Sequence, residues 1–211
     1  MTHRFDPDRH HRRSIRLPEY DYSQAGAYFV TICVQDRQCL LGEVVDGCMM
    51  LNATGQVVQE VWDTLPARFP GIALDTFVIM PNHVHGVIVI GAIDVGAIHE
   101  SPLPNESPLP NESPRHDESS AKRRRKMLLP KIIGYFKMNT AKRANVLRGT
   151  PGTPFWQRNY YEHVVRNDRQ WNAIRRYIQN NPLKWSLDHD NPVTARPVAT
   201  TVIPYLREAG L

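Results

Sequence analysis

Two apolar segments joined by a two-residue turn constrain the fold of this chain more than any other feature. Residues 74–80 and 83–90 both have the composition of β-strands, and Pro81-Asn82 between them forms a short turn. The second segment ends in GVIVI, a run that is typical of a buried strand. We therefore predict a sheet-based domain with a hydrophobic core, which 211 residues are enough to build.

Further strands and helices follow from composition and apolar spacing. The other predicted strands are residues 27–34, a hairpin of 40–45 and 49–51 around Asp46-Gly47, and an extended segment at 155–165. The predicted helices are 52–68, ending near Pro66, then 127–147, and then 168–180 with Asp168 as a candidate N-cap. This order predicts an α+β fold, an antiparallel sheet with helices packed on one face, whose strand order stays open.

Three parts of the chain differ in character. Residues 1–22 form a basic arm, and residues 23–185 form the domain. Residues 92–121 carry tandem ESPLPN repeats, whose period is too short for a solenoid and whose residues are too polar to bury. We interpret that segment as a disordered low-complexity insertion within the domain, and residues 186–211 as a C-terminal tail.

Positive charge is concentrated in one part of the sequence. Residues 115–148 contain eleven Lys and Arg against two acids, although the whole chain carries only +5. Localised positive charge suits a polyanion, and phosphate contacts dominate nucleic-acid affinity. A solvated basic loop is the alternative.

Other classes of protein are less compatible with the sequence. Three cysteines without a CxxC pair argue against a disulfide framework and against a zinc ribbon. No run approaches the roughly 18 apolar residues of a membrane span, and the N-terminus lacks the apolar stretch of a signal peptide. We therefore expect no membrane partner and a cytoplasmic location.

A pair of histidines stands at the start of the second central strand. Alternation in a strand places His83 and His85 on one face and Val84 on the other, while Gly86 leaves room beside the imidazoles. Two neutral imidazoles side by side form part of a metal site. Two ordinary surface histidines would give the same pattern, so that alternative stays open.

The final predicted helix offers further candidates. Tyr177 and Asn181 are four residues apart and so lie on one side of the helix, about one turn from each other. Tyr177 sits at the edge of an apolar stripe, from which its phenol could point across a groove, and Asn181 could supply an amide oxygen as a third metal ligand. A tyrosine at the edge of the core, and an asparagine that ends the helix before a proline, are the alternative.

Three motifs then occur in the order found in a known superfamily: FVIMPNHVHGVIVI, FWQRNYYEHVVRN and RRYIQNNPLKW. The chain resembles the single-tyrosine HUH transposases, in which two histidines flank a bulky hydrophobic residue, and within them the branch of REP-associated tyrosine transposases. The resemblance runs from about residue 13 to residue 185, apart from the insertion. It implies a ferredoxin-like fold, similar to the RNA-recognition fold.

The resemblance also implies roles for individual residues. His83 and His85 match the metal-ligating histidines, Asn181 matches the third ligand, and Tyr177 matches the nucleophile of a Y-I-x-x-N/Q motif. The implied cofactor is Mg²⁺ or Mn²⁺. Tyr160 and Tyr161 are competing nucleophiles, although they lack an amide four residues further on.

The implied activity is metal-dependent nicking and joining of single-stranded DNA, as in transposition, through a covalent 5′-phosphotyrosine intermediate. The implied partners are palindromic repeat hairpins, bound by a monomer or a homodimer. A binding module without catalysis and a hydrolase of small phosphate esters are the alternative functions. The residues predicted to contact DNA are Arg12, Arg13, Lys122, Arg123, Arg124, Arg125, Lys126, Lys131, Lys137, Lys142, Arg143, Trp156, Arg158, Arg175 and Arg176.

Overall fold

The computed structural model describes residues 20–91, 127–188 and 190–192. Most of the predicted arm at 1–22, the whole predicted insertion at 92–121 and the tail beyond 192 lie outside this part of the chain. In chain order the elements are β1 (Gly26–Cys33), a 3-10 turn (Gln35–Arg37), β2 (Gly42–Val45), β3 (Cys48–Leu51), α1 (Ala53–Asp63), α2 (Leu65–Arg68), β4 (Ile72–Met80), β5 (His83–Ile90), α3 (Leu128–Leu147), β6 (Tyr161–Val165), α4 (Asp168–Asn180) and a 3-10 helix (Pro182–Leu187).

A four-stranded antiparallel sheet with the order β4-β5-β1-β6 forms the centre of the fold, and β2 and β3 form a separate hairpin. With α1 between β1 and β4 and α3 between β5 and β6, the chain has the β-α-β-β-α-β order of a ferredoxin-like unit. The predicted α+β class is therefore confirmed. None of the helices in the described residues has the length and apolarity that a membrane span requires.

Side chains on the two faces of the sheet pack against different helices. On one face, Val30, Val84 and Ile88 join the main core with residues of α1 and α3. On the other face, Phe29 and Val87 join a smaller cluster with residues of α4. The prediction of helices on one face thus holds for α1 and α3 only, because α4 has a strongly apolar stripe of its own, Trp171, Ile174 and Ile178.

Local sequence explains most of the element ends. The Asn52 side chain accepts hydrogen bonds from the backbone N–H groups of Thr54 and Gly55 and so begins α1. The predicted helix over 52–68 is interrupted at Thr64 and continues as the short helix α2. The N-cap of α4 is Asn167 rather than Asp168, because the Asn167 side chain accepts from the Gln170 N–H.

The predicted extended segment at 155–165 is a strand only over its last five residues. Before β6 the chain makes one isolated bridge, between Trp156 and Val34. The carbonyl groups of Gln157 and Arg158 accept hydrogen bonds from Lys137 Nζ. A side chain of α3 therefore takes two acceptors that could otherwise have paired with a neighbouring strand.

A second polar contact attaches α4 to the sheet. Asp75 lies at an irregularity in β4, where the register with β5 shifts between Leu74 and Phe77. Its carboxylate accepts two hydrogen bonds from Arg175, at 2.8 and 3.0 Å, and a third from the Trp171 indole. Together with the apolar cluster, this ion pair determines where α4 lies over the sheet.

Gly86 does not leave room beside the histidines, because its position in β5 faces the opposite side of the sheet. A Cβ atom there would lie 2.6 Å from the Trp62 ring and 2.9 Å from Phe77. These two rings stack at 4.1 Å and fill the space that the glycine leaves.

We predict that Gly86→Ala lowers the free energy of unfolding by about 1–3 kcal/mol or more, because two aromatic rings would have to move within a packed core. Urea denaturation measures the effect. Gly134→Ala is the matched control, since a Cβ atom there meets nothing within 4 Å on a helix, and it should stabilise the protein by about 0.5–1 kcal/mol. Equal midpoints for Gly86→Ala and the wild type would contradict this packing.

We also predict that Asp75→Asn lowers the free energy of unfolding by about 1–2 kcal/mol at neutral pH, because it removes a partly buried bidentate ion pair. Partial burial raises the pKa of Asp75, but the hydrogen bonds from Arg175 and Trp171 outweigh it and keep the pKa below its ordinary 3.8. The stabilisation is therefore present at neutral pH and is lost as the pH falls below that value. Denaturation of Asp75→Asn and of the exposed control Asp63→Asn at several pH values tests this, and a difference that persists in strong acid would refute it.

Candidate active site

The two histidines of β5 lie side by side, as their spacing predicts. His83 pairs with Cys33 of β1, and His85 pairs with Thr31, on the face that α4 covers. Their ring centroids are 4.6 Å apart. Their exposures of 1% and 3% exclude the alternative of two surface histidines.

Tyr177 reaches this pair from α4. Its hydroxyl oxygen lies 3.2 Å from Nε2 of His85, although the two residues are 92 positions apart in sequence. The Phe29 ring supports both side chains: it stacks on His85 at 5.5 Å and meets the edge of Tyr177 at 6.2 Å. The predicted convergence of Tyr177 with the histidines is therefore present in the fold.

Burial keeps His85 in its neutral form. Desolvation lowers the pKa of His85 to about 3, so its ring carries no charge at neutral pH. Nδ1 lies 2.7 Å from the Thr31 hydroxyl, while Nε2 faces Tyr177. When Tyr177 donates to Nε2, Nδ1 carries the proton and donates to Thr31. This tautomer presents the Nε2 lone pair on the side of the phenol, which is the form that binds metals.

The phenol of Tyr177 is neutral in this environment. Burial is the main cause that raises its pKa, and the charge of Asp188 raises it further, whereas a hydrogen bond from Asn181 acts in the opposite direction. The neighbouring Arg175 does not offset these effects, because its guanidinium is bound to Asp75. A positive charge beside the hydroxyl would be needed to favour phenolate.

Asn181 supplies an observation that fits a metal. Its side chain is 4% exposed, and its Oδ1 atom has no hydrogen-bond partner among the described residues. A buried amide oxygen without a partner is destabilising in a folded protein, so such an atom calls for an explanation. In the described part of the chain no three His, Cys, Asp or Glu side chains form a cluster that could hold a metal. A third protein ligand beside the two imidazoles would therefore be of another type, as an amide oxygen is.

The competing tyrosines are placed differently. Tyr160 packs against the main core, on the face of the sheet that α1 and α3 cover. Tyr161 lies on β6 opposite Thr31, which separates it from His85 of β5, and its ring centroid is 6.2 Å from that of Phe29. Of these tyrosines, Tyr177 is the one whose hydroxyl lies at hydrogen-bonding distance from a histidine nitrogen.

The basic residues predicted to contact DNA divide into several groups. Arg12, Arg13 and the run 122–126 lie outside the described residues. Lys131, Lys142 and Arg143 lie on α3, which covers the opposite face from the histidines, and Arg143 pairs with Glu60. Lys137 is engaged with the carbonyl groups that precede β6, and Arg175 with Asp75. Arg158 and Arg176 are exposed, and Arg176 directly precedes Tyr177 in α4.

Trp156 does not form a stacking platform for bases. Its side chain is 6% exposed, packs against Phe136 and Phe155, and donates its indole N–H to the Thr140 hydroxyl at 2.7 Å. Trp156 is therefore a residue of the core, and its burial leaves little of the ring exposed for the predicted contact with DNA. Trp185 is the half-buried aromatic residue beside the site, with its ring 6.1 Å from that of His83.

Three further residues contact or face the histidines and are not among those that the sequence singles out. Thr31 and Cys33 were recognisable only as members of a strand, because their place opposite His85 and His83 depends on the pairing of β1 with β5. Asn82 was assigned to a turn, yet its side-chain oxygen lies 2.8 Å from Nδ1 of His83. The one available signal was that Asn82 directly precedes the first histidine.

The chain is similar in sequence to a known protein and in structure to two solved proteins. No model of a known protein family matches it. Two solved structures are similar to this chain. One is a REP-associated tyrosine transposase bound to a REP hairpin, with a TM-score of 0.44 and 18% identity, and the match covers 80% of this chain and 73% of that one. The other is a candidate transposase from Deinococcus radiodurans, with a TM-score of 0.41 and 14% identity, and the match covers 74% of this chain and 91% of that one. An uncharacterized protein of Haemophilus influenzae is 37% identical over 188 residues, which cover 89% of this chain and 97% of that protein. The chain therefore belongs to the same protein family as this Haemophilus influenzae protein.

Proposed function

We propose that this protein nicks and rejoins single-stranded DNA with Tyr177 as the nucleophile, in the manner of a REP-associated tyrosine transposase. The observation that carries the proposal is the contact of the Tyr177 hydroxyl with Nε2 of His85, 3.2 Å long, beside His83 and the unpartnered oxygen of Asn181. A nucleophile, two imidazoles and an amide oxygen, brought together from two distant segments, form the constellation that phosphoryl transfer through a covalent enzyme intermediate needs.

His83, His85 and Asn181 would hold Mg²⁺ or Mn²⁺. Two nitrogen ligands and one oxygen suit Mn²⁺ at least as well as Mg²⁺, which prefers oxygen ligands. When bound, the ion would neutralise charge on a phosphate oxygen and favour the phenolate form of a nearby tyrosine.

The side chains of this protein have clear tasks in the reaction. The Tyr177 oxygen forms a bond to the phosphorus, and the bond from phosphorus to the 3′ oxygen breaks. The 3′ oxygen keeps the electron pair and takes up a proton, while the phenol proton leaves to solvent. The DNA 5′ phosphate is then linked to Tyr177, and an incoming 3′-OH can reverse the step without ATP. Phe29 and the hydrogen bond with Asn181 keep the phenol in one orientation.

The depth of the site favours a single strand as substrate. Both histidines are almost completely buried where α4 and the following 3-10 helix meet the sheet. A flexible single strand can bring one phosphate to such a buried position, whereas a stacked duplex resists the deformation. Exposed Arg176 on α4 and the basic residues at 12–13 and 122–126 would attract the phosphates. We choose DNA hairpins with single-stranded flanks as the substrate because of the motifs that the chain shares with hairpin-specific transposases.

The central prediction is that Tyr177→Phe abolishes a covalent protein–DNA adduct. Purified full-length protein is incubated with Mn²⁺ and labelled DNA hairpins whose single-stranded flanks are randomised, and the adduct is resolved on a denaturing gel. The wild type should form the adduct, EDTA should prevent it, and Tyr161→Phe should retain it, because β1 separates Tyr161 on β6 from the histidines on β5.

Two results would contradict this mechanism. An adduct that persists in Tyr177→Phe would assign the nucleophile to another residue, and mass spectrometry of the linked peptide would identify it. Hairpin binding by the wild type without any adduct, in either Mg²⁺ or Mn²⁺, would leave a binding module without catalysis.

A second prediction concerns the metal and the buried amide. Asn181→Leu should weaken Mn²⁺ binding by more than about tenfold, since even residues that only support metal ligands contribute about 10- to 100-fold. It should change the unfolding temperature of the metal-free protein only slightly, because removal of an unpartnered buried oxygen offsets loss of the hydrogen bond to Tyr177 and the volume is kept.

Electron paramagnetic resonance of free Mn²⁺ and a thermal denaturation scan measure the two effects. Asn139→Leu is the matched control, because Asn139 is a helix amide that contacts its own helix at Tyr135. Unchanged Mn²⁺ affinity in Asn181→Leu would remove Asn181 from the ligand set.

A further inference from the structure

Asn82, in the turn between β4 and β5, uses every polar atom of its side chain. Its exposure is 1%. Nδ2 donates to the backbone carbonyl of Arg37 at 3.0 Å and to that of Asp190 at 2.7 Å, and Oδ1 lies 2.8 Å from Nδ1 of His83. These contacts join three distant segments of the chain at one amide.

The contacts settle which atom of the amide faces the imidazole. Carbonyl oxygens only accept hydrogen bonds, so the atom near Arg37 and Asp190 must be the amide nitrogen. The atom near His83 is therefore the amide oxygen, which also only accepts. Nδ1 of His83 must then carry a proton, and in the neutral ring the lone pair belongs to Nε2.

We propose that Asn82 is a positioning residue that fixes His83 in the Nδ1–H tautomer and so presents Nε2 for the metal. The inference rests on the proposed function only in assigning Nε2 to a metal, since the tautomer is a property of the metal-free protein. A hydrogen bond to the outer nitrogen of a ligating histidine fixes both its tautomer and its ring orientation. Thr31 has the corresponding place at His85, but a hydroxyl can donate as well as accept, so it fixes the tautomer less strictly.

The surroundings of Asn82 prevent its amide from flipping. The Arg37 guanidinium forms an ion pair with the carboxylate of Asp190, which holds together the two segments whose carbonyl groups accept from Nδ2. The backbone oxygen of Asn82 also accepts from the Val34 N–H at 2.8 Å. A flipped amide would turn its oxygen toward two carbonyl oxygens and its N–H groups toward Nδ1–H, and every one of these contacts would be unfavourable.

The first test reads the tautomer directly. Full-length protein labelled with ¹⁵N-histidine is studied without metal by long-range ¹H–¹⁵N correlation NMR, and the His83 signals are assigned by their loss in His83→Gln. Nδ1 should have the chemical shift of a protonated ring nitrogen, and Nε2 that of an unprotonated one. The opposite pattern would overturn the inference, whatever the outcome of the adduct assay.

Variants then separate the two functions of the Asn82 side chain, which accepts a hydrogen bond from His83 and donates to the carbonyl groups of Arg37 and Asp190. Asn82→Leu removes the acceptor, so His83 should populate both tautomers and the Mn²⁺ dissociation constant should rise about 10- to 100-fold. Asn82→Asp keeps an acceptor beside Nδ1 and should retain the proton on Nδ1, while its second oxygen faces the carbonyl groups of Arg37 and Asp190 and should lower the stability. Asn139→Leu, with the same chemical change away from the site, should alter neither measurement.

These outcomes distinguish the role of Asn82 from a purely structural one. Wild-type tautomer and Mn²⁺ affinity in a folded Asn82→Leu would refute the inference. If Asn82→Leu does not fold, the spectrum of the wild type decides: an unprotonated Nδ1 of His83 there would refute the inference equally. Failure of DNA cleavage in the wild type, with the tautomer as expected, would instead count against the proposed function and leave the role of Asn82 intact.

Discussion

The antiparallel pairing of β1 with β5 is the constraint on which the rest of the structure depends. Their register sets His85 opposite Thr31 and His83 opposite Cys33, and it sends the intervening residues to the other face. A slip of one residue would exchange the two faces of either strand. The core prevents this, because Val84, Gly86 and Ile88 fit under α1 and α3, and any side chain on Gly86 would collide with Trp62.

A second, smaller set of contacts brings Tyr177 to that sheet. The apolar stripe of α4 packs on Phe29 and Val87, and the ion pair of Asp75 with Arg175 fixes the helix over β4. Neither contact involves the histidines, so the position of Tyr177 is determined by packing and charge rather than by the site.

The site contains a buried polar atom without a hydrogen-bond partner, whereas the polar atoms around Trp156 in the main core are paired with one another. Trp156 donates to the Thr140 hydroxyl, which in turn donates to the Phe136 carbonyl, so each of these buried polar groups has a hydrogen-bond partner. At the site, burial depresses the pKa of His85, raises that of Tyr177 and leaves the Asn181 oxygen without a partner. Buried polar groups without partners lower the stability of a folded protein, and they are expected at functional sites more than elsewhere. Asn82 shows the complementary arrangement, in which every polar atom of a buried amide side chain has a partner and one of these partners is His83.

Local patterns were sufficient for the α+β class, for most elements and for the shared face of His83 and His85, because strand alternation and helical periodicity depend on neighbouring residues alone. They were also sufficient to nominate Tyr177 and Asn181, through motifs that the chain shares with a known superfamily. They could not show that α4 covers the face opposite to α1 and α3, that Arg175 is bound to Asp75, or that Trp156 is buried. Each of these depends on contacts between residues far apart in sequence. The contact between Tyr177 and His85 also depends on the tertiary structure. Helical periodicity places Tyr177 on one side of α4 and strand alternation places His85 on one face of β5, but only the packing of α4 on the sheet brings the two side chains together.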